Sequence, residues 1–273
     1  MKKGIKVALI YTINILLSSI ILFPIFYALM VSLMPASEIF QYPPKIFPKS
    51  LYLGNYIEVL KSVPILRFIL NSFIVSSVVT VGQIITGSLA AYAFTYYDFK
   101  GKNVIFLLFL STMMIPGEAT IIANYLTIRS LNWLDTYQAL IIPNLSTALG
   151  IFLMRQFFQT IPRDYYEAAA IDGATKFQFF LKVLLPLSRP AIGSLAIYSF
   201  LMTWNQYMWP LLVTNTDEMR TVQIGISMLQ MAESQSFGLI MAGVVMIIIP
   251  SLVAFVVGQK QLIEGLNAGA LKG

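Results

Sequence analysis

Few side chains in this 273-residue sequence can take part in chemistry, and their types exclude several kinds of reaction. The chain has 12 acidic and 18 basic residues but no His and no Cys. Catalysis by imidazole or thiolate, disulfides, and metal sites built on these ligands are therefore excluded. The G-x-x-x-x-G-K-[ST] motif is also missing, so the chain has no P-loop of its own for nucleotide phosphates. Any energy-driven process must draw on a partner or on an ion gradient.

Glu118 is the one acidic residue well inside a long apolar run, where it follows Pro116-Gly117. An ionisable group at membrane depth is costly unless it faces a cavity or a partner. Two interpretations remain open. Glu118 lines a pathway beside a broken helix, or the helix ends at Pro116 and Glu118 sits in wet, re-entrant backbone.

A second polar group, Trp204-Asn205-Gln206-Tyr207, interrupts another apolar run. Amides flanked by aromatic rings suit a sugar-like solute, whose hydroxyls and apolar faces they can contact. The same amides could instead form hydrogen bonds that hold helices together. Neighbouring helical residues face about 100° apart, so we expect one of Asn205 and Gln206 to face a pathway and the other a helix.

The segment from Asp164 to Pro190 is a charge-bearing stretch between two apolar runs, and it has signals for two helices. Asp164 is placed to cap the first helix, with Glu167 three residues later. Gly173 supplies a residue that can take positive φ and end that helix. Thr175 and Gln178 form a capping box for the second, whose apolar residues run to Leu185 before Pro186 and Pro190.

Three blocks of this segment, Glu167-Ala168-Ala169, Asp172-Gly173-Ala174 and Leu185-Pro186, resemble the EAA loop of membrane subunits of bacterial ABC importers. Trp204-Asn205-Gln206-Tyr207 and the closing Gly269-Ala270-Leu271-Lys272-Gly273 resemble the carbohydrate-uptake branch, including its glycerol-3-phosphate members. The alternative for the loop is an ordinary amphipathic connector, because short motifs produce false positives.

The resemblance implies a type I importer permease fold whose cytoplasmic loop is a coupling helix seated on an ATPase. It further implies a cytoplasmic ATPase dimer, a second homologous permease subunit and an extracellular or periplasmic solute-binding protein. This chain would bind no cofactor, and the partner ATPase would use the ATP and Mg. Within the coupling loop, the implied contact residues are Glu167, Ala168, Ala169, Asp172, Gly173, Ala174, Leu185 and Pro186; the pathway candidates are Glu118, Asn205, Gln206 and Tyr207.

Composition independently indicates an all-α integral membrane protein. The sequence is 58% hydrophobic and 11% charged, whereas a soluble domain has about 25% charged residues. The basic residues, which give a net charge of +6, are spread through the loops, so they predict orientation in the lipid bilayer rather than nucleic-acid binding. The apolar runs are continuous, which favours helices over a barrel, and each suits the ~20 residues needed to cross a membrane.

We predict one transmembrane domain over 1–273, with spans at 7–34, 68–95, 104–125, 137–158, 191–213 and 237–257. A short surface helix is expected near 55–61 and a polar external loop over 215–236. The coupling loop is 159–190 and the C-terminal cytoplasmic tail is 260–273. Twelve of the 18 Lys and Arg residues then lie inside, so the positive-inside rule places both termini in the cytoplasm of a bacterial cell (inner) membrane.

These observations predict a permease subunit, not an enzyme, of an ATP-driven, binding-protein-dependent importer for a carbohydrate. Glycerol-3-phosphate is the alternative solute, although no clear basic residue in the spans would meet its phosphate. An ion-coupled secondary transporter acting alone is a different class. Such proteins usually have internal repeats and paired broken helices, and this sequence has one clear break and no evident repeat. A membrane enzyme would need catalytic clusters that the composition does not provide.

Overall fold

The computed structural model describes residues 2–232 and 237–270, and this part of the chain is helical with no β-strand. Short 3-10 segments cover Thr112–Met114 and Ile142–Asn144, and a π-helical turn covers Phe180–Leu184. The described α-helices are α1 (Lys2–Ser32), α2 (Ala36–Ile39), α3 (Gly54–Ser62), α4 (Ile65–Tyr96), α5 (Lys102–Ser111), α6 (Gly117–Ser130), α7 (Tyr137–Ile141), α8 (Ala148–Phe158), α9 (Asp164–Ile171), α10 (Lys176–Phe179), α11 (Leu185–Leu187), α12 (Arg189–Trp204), α13 (Met208–Val213), α14 (Val222–Ala232) and α15 (Phe237–Ala270).

Three helices are long and apolar enough to cross a membrane by themselves. They cover Gly4–Ser32, Ile65–Tyr96 and Phe237–Lys260, with lengths of 29, 32 and 24 residues. At 1.5 Å per residue, even the shortest exceeds the ~30 Å of a hydrocarbon core. Long apolar helices therefore lie where the spans 7–34, 68–95 and 237–257 are predicted.

The other candidate spans are pairs of helices joined at a bend, which gives up to six spans if each pair crosses once. Lys102–Met114 and Gly117–Ser130 meet at 98°, which confirms the predicted interruption at Pro116-Gly117. Tyr137–Asn144 and Ala148–Phe158 meet at 43°, just after Pro143. Proline removes a backbone donor and clashes with the preceding turn, so both breaks have a local cause.

The predicted fifth span, 191–213, is wrong as a continuous helix. The helix α12 ends at Trp204, and α13 begins at Met208. The bent pair in this part of the chain is instead Lys176–Leu187 with Arg189–Trp204, at 76°. Pro186 and Pro190 flank this bend, as predicted, so the helix of the coupling loop leads almost directly into α12.

The predicted polar loop at 215–236 is also wrong over part of its length, because α14 covers Val222–Ala232. The side chains of Val222, Ile224 and Leu229 are buried there, so an apolar stripe decides the structure despite the nearby charges. Residues 233–236 lie outside the described residues. In the predicted tail, α15 continues to Ala270, and Leu271-Lys272-Gly273 of the C-terminal motif lie outside them too.

The chain divides into two compact units. One unit comprises 1–67 and 224–250. In it the predicted surface helix at 55–61 is confirmed as α3, but Asn55 is buried and its amide donates hydrogen bonds to the carbonyls of Ser32 (2.9 Å) and Met34 (2.8 Å). A Cβ on Gly238 would lie 2.7 Å from Asn55 Nδ2, so glycine allows α15 to approach α3 closely.

The other unit comprises 68–223 and 251–273 and contains the predicted functional segments. One of its cores surrounds Phe158, Phe179 and Leu184 beneath the coupling loop. Another surrounds Val79, Leu140 and Val213, near the ends of α7 and α13. Both cores draw on α4, so this helix is the common support for the bent pairs.

A carboxylate clamp closes one end of this second unit. Asp135 Oδ1 accepts hydrogen bonds from the backbone N–H groups of Asn215 (2.6 Å) and Thr216 (2.9 Å) and from the Thr216 hydroxyl (3.2 Å). Burial alone would raise the pKa of Asp135, but these donors outweigh it and lower the pKa below its ordinary value. The clamp therefore requires the ionised carboxylate.

We expect Asp135→Asn to destabilise the protein by about 1–3 kcal/mol near neutral pH, because hydrogen bonds to a charged acceptor are lost. Asn tolerates the positive φ of this position (56°), so backbone strain is not added. Because the pKa of Asp135 is lower in the folded protein than in the unfolded chain, its carboxylate stabilises the fold fully above the unfolded pKa of about 3.9. This stabilisation is lost as the pH falls through the folded pKa. Thermal unfolding at pH 7, 5 and 3.5 should show a constant difference at the first two and a smaller one at the last. A difference as large at pH 3.5 as at pH 7 would contradict the clamp.

Candidate functional site

The helix α9 carries the first block of the predicted coupling loop on its exposed side. Glu167 and Ala168 are exposed, whereas Ala169 is buried in the core below. The prediction that Asp164 caps this helix is wrong. Arg163 occupies the N-cap position, with no capping hydrogen bond to a backbone N–H from its side chain, and Asp164 is the first helical residue. Asp164 still lies in the first turn, where its negative charge interacts favourably with the positive end of the helix dipole.

The predicted glycine turn between the two helices is confirmed. Gly173 has φ +78°, its N–H donates to the carbonyl of Ala170 (3.1 Å), and the Ala174 N–H donates to that of Ala169 (2.9 Å). This pair of hydrogen bonds is the Schellman arrangement that ends helices at a left-handed residue. Asp172, Gly173 and Ala174, the second block of the motif, are therefore the turn itself.

The capping box predicted for the second helix is also confirmed. The Gln178 N–H donates to Thr175 Oγ1 (3.2 Å), and the Thr175 N–H donates to Gln178 Oε1 (2.8 Å). The helix then passes through the π-helical turn into α11, which contains the third block, Leu185-Pro186. Pro186 has no N–H, and the wider π turn accommodates the missing donor.

Aromatic rings hold this loop against the end of α4. Tyr166 contacts Phe179 edge to face, with ring centroids 5.0 Å apart, and Tyr96 lies 5.5 Å from Tyr166 and 5.2 Å from Phe179. The Tyr92 hydroxyl donates to the carbonyl of Lys176 (2.9 Å). These contacts pack the loop against the end of α4.

Sequence reasoning missed these anchoring tyrosines. The available signal was the i, i+4 spacing of Tyr92 and Tyr96 at the end of a predicted span, which places both rings on one helix face. Their partners on the coupling loop could not be identified without the fold.

The predicted pathway residues Asn205, Gln206 and Tyr207 form the break between α12 and α13. Gln206 is half-buried, and its Nε2 donates to Asn144 Oδ1 (3.2 Å), in the break between α7 and α8. Asn205 is exposed, donates to the carbonyl of its own helix residue Leu201 (2.8 Å), and accepts from Gln223 Nε2 (3.2 Å). The two amides therefore face different surroundings.

Gln83, in the middle of α4, links the break between α7 and α8 to the helix α12. Its Nε2 donates to the Asn144 carbonyl (2.8 Å), and its Oε1 accepts from the Ser199 hydroxyl of α12 (2.6 Å). Thr86, one turn further along α4, donates to the carbonyl of Leu145 (2.9 Å). Gln83 and Thr86 satisfy the backbone carbonyls of Asn144 and Leu145 at the break between α7 and α8, as a membrane-embedded break requires. Sequence reasoning did not select Gln83 or Asn144.

Glu118 lies in the first turn of α6, immediately after the break at Pro116, and its side chain is exposed. A carboxylate at a helix N-terminus is stabilised by the helix dipole. Among the described residues, no hydrogen bond or ion pair joins Glu118 to the break at Asn205, so the structure does not bring these candidates together. Both earlier interpretations of Glu118 therefore remain predictions.

No group of three or more Asp and Glu residues that could hold a metal ion occurs within the described parts of the chain. The site instead combines an exposed coupling loop, packed against α4, with a hydrogen-bonded group of amide side chains at two helix breaks.

Comparisons with known proteins agree with these features. The sequence profile of the family described as "binding-protein-dependent transport system inner membrane component" matches residues 83–260. The arabinooligosaccharides transport system permease protein AraQ of Bacillus subtilis (strain 168) is 34% identical over 261 residues, covering 94% of this chain and 93% of AraQ. The sn-glycerol-3-phosphate transport system permease protein UgpE of Brucella suis biovar 1 (strain 1330) is 36% identical over 256 residues, covering 90% and 91%.

Solved structures share the fold. A chain of a bacterial ABC transporter involved in the import of the acidic polysaccharide alginate superposes with a TM-score of 0.84 at 23% identity, covering 95% of this chain and 97% of that chain. A bacterial alginate ABC transporter in complex with an alginate pentasaccharide-bound periplasmic protein gives a TM-score of 0.62 at 17% identity, covering 95% and 94%. At these identities the likeness concerns the fold alone.

Proposed function

Because this chain belongs to the family of binding-protein-dependent transport system inner membrane components, we propose that it is the permease subunit of an ATP-driven importer for a carbohydrate. The observation that carries this proposal is the coupling loop. Its three motif blocks form an exposed helix, a glycine turn and a helix that leads into α12.

The proposed mechanism uses the loop as a lever. An ATPase dimer in the cytoplasm would bind ATP with Mg, close, and move α9 through the exposed Glu167 and Ala168. Because Tyr166 and Phe179 pack against Tyr96 of α4, that movement would reach the spans as a rigid displacement. Nucleotide on one side and a loaded solute-binding protein on the other would then bias a two-state equilibrium.

The partners and orientation follow from the same proposal. A second homologous permease chain would complete the pathway, and a solute-binding protein would deliver the solute from outside; a periplasmic protein accompanies the alginate transporter that shares this fold. Both termini would lie in the cytoplasm of the bacterial membrane, as the excess of inside Lys and Arg residues favours.

The solute is proposed to be a sugar or oligosaccharide. Support comes from the exposed amide of Asn205 beside Tyr207 and from the similarity to AraQ, an arabinooligosaccharide permease. The second candidate is glycerol-3-phosphate, which the similarity to UgpE favours. Thermal-shift screening of the solute-binding protein encoded nearby, with both ligand classes, would decide between them.

Co-purification tests the importer itself. An affinity-tagged chain should bring down an ATPase from its native membranes, and Glu167→Lys should lower the recovered ATPase by about tenfold or more, because like charges at an interface cost several kcal/mol. The resemblance implies that Glu167 faces a basic surface of the ATPase. Glu58→Lys is the matched control, since it reverses an exposed charge on α3. Equal ATPase recovery with Glu167→Lys and the wild type would argue that the loop is only a connector.

A further inference from the structure

A basic pocket lies where α4 and α8 end, and the proposed transport cycle does not use it. Its volume is about 550 Å³. Tyr96 and Phe158, the last residues of the two helices, form part of its wall. Its charged residues are Asp98, Lys102, Arg155 and Arg163. The pocket therefore has three cationic side chains and one carboxylate at the boundary of two spans.

The single carboxylate of the pocket is already paired with a lysine, and its side chain is mostly exposed. Asp98 pairs with Lys102 at 3.4 Å, and its side chain is 92% exposed. Among the described residues, neither Arg155 nor Arg163 has a carboxylate partner or a side-chain hydrogen bond. The excess of positive charge is thus carried by two arginines.

Arg155 is held in place without an anion. Its guanidinium carbon lies 4.1 Å from the centroid of the Phe106 ring, and its buried Nε has no hydrogen-bond partner among the described residues. A cation over an aromatic face is positioned, but its N–H donors are not satisfied. Phosphate oxygens match the fork geometry of guanidinium groups, which makes a phosphate a suitable ligand.

The surroundings favour a phosphate that carries acyl chains. Lys102 and Asn103 at the rim begin α5, and the apolar side chains that follow, Val104, Leu107 and Leu108, are 63%, 65% and 61% exposed. A ligand with a charged head and an apolar tail could place its head in the pocket and its tail along α5. Basic pockets between helices on the cytoplasmic side are typical sites for anionic lipid headgroups.

We propose that this pocket binds the phosphate of an anionic phospholipid, with Arg155 and Arg163 as its principal ligands and Lys102 beside them. The assignment to the cytoplasmic leaflet rests on the proposed orientation of the chain. Arg163 is the N-cap residue of α9, so the bound headgroup would fasten the root of the coupling loop to the bilayer.

The test is a lipid titration followed by native mass spectrometry of the full chain, purified in neutral detergent with whatever partners accompany it. Phosphatidylglycerol should bind more tightly than phosphatidylcholine with the same acyl chains. Arg155→Gln and Arg163→Gln should each weaken phosphatidylglycerol binding by roughly fivefold, the factor expected for one basic residue near an anionic headgroup. The readout does not require transport, so its failure is distinguishable from failure of the proposed function.

Two controls keep the result specific. Lys182→Gln removes an exposed positive charge from the same loop but outside the pocket, and it should leave lipid affinity unchanged. Phe106→Leu removes the ring beneath Arg155 while leaving both arginines, so it reports on packing and should retain most of the affinity. Equal affinity for the two lipids, or an equal loss in Lys182→Gln, would overturn the proposal. Inorganic phosphate that binds as tightly as phosphatidylglycerol would show that the phosphate group alone is recognised, and would overturn the assignment to a lipid.

Discussion

Replacement of Gly173 by Val should nearly abolish solute-stimulated ATP hydrolysis while leaving the amount of chain in the membrane unchanged. Gly173 has φ +78°, and a Cβ placed there meets no atom within 4 Å, so the cost is conformational rather than steric. A left-handed residue with a Cβ costs about 1–2 kcal/mol, more for a β-branched side chain. That cost shifts the turn equilibrium by roughly 5- to 30-fold. Since the turn sets the angle of α9, the expected loss in coupling is at least of this size.

Gly101→Val provides a closely matched control. Gly101 also has positive φ (+80°) and open space around a Cβ, but it precedes α5 rather than lying in the coupling motif. Both variants therefore carry a similar backbone strain. Gly173→Asn should retain more activity than Gly173→Val, because Asn tolerates the left-handed region. ATP hydrolysis and uptake in reconstituted vesicles measure the effect. Similar losses in Gly101→Val and Gly173→Val would indicate general destabilisation and contradict the coupling role.

Replacing Asn205 and Gln206 by Leu should have opposite effects on uptake and assembly. The Asn205 amide is exposed, so Asn205→Leu should slow uptake by roughly threefold to a hundredfold if one or two hydrogen bonds to solute of about 0.5–1.5 kcal/mol each are lost. Complex yield should not change, because an apolar residue inserts into a membrane without penalty. Gln206→Leu should instead lower the yield, since it leaves Asn144 Oδ1 without its 3.2 Å donor.

Uptake and complex yield should be measured on the same membranes for both variants and for Glu118→Gln. The last change keeps the side-chain shape and removes only the charge. Lost uptake with intact assembly in Glu118→Gln would favour the pathway interpretation over wet, re-entrant backbone. If yield falls in proportion to uptake in all three, these residues are structural and the pathway assignment is wrong.

The parts of the fold that the sequence predicted correctly are those determined by residues close to one another in the sequence. Three uninterrupted spans follow from runs of apolar residues longer than a bilayer is thick. The bend at Pro116-Gly117 follows from a missing backbone donor, and the Gly173 turn and the Thr175 capping box depend on residues at most five positions apart. The bend after Pro143 was not predicted, because the sequence was expected to have only one clear break. The EAA blocks were recognisable for the same reason, because the turn that displays them is local.

Other features depended on partners distant in the sequence, and only the tertiary structure decided them. The helix at 191–213 breaks after Trp204, where Gln206 finds a partner in Asn144, 62 residues away. Gln83 donates to the Asn144 carbonyl in the break between α7 and α8 and accepts from Ser199 of α12, although no residue near it in the sequence marks it. The burial of Val222 and Leu229 turned a predicted loop into α14. A polar group in hydrocarbon takes the conformation that satisfies its hydrogen bonds, and the fold alone determines which distant group is near enough to do so.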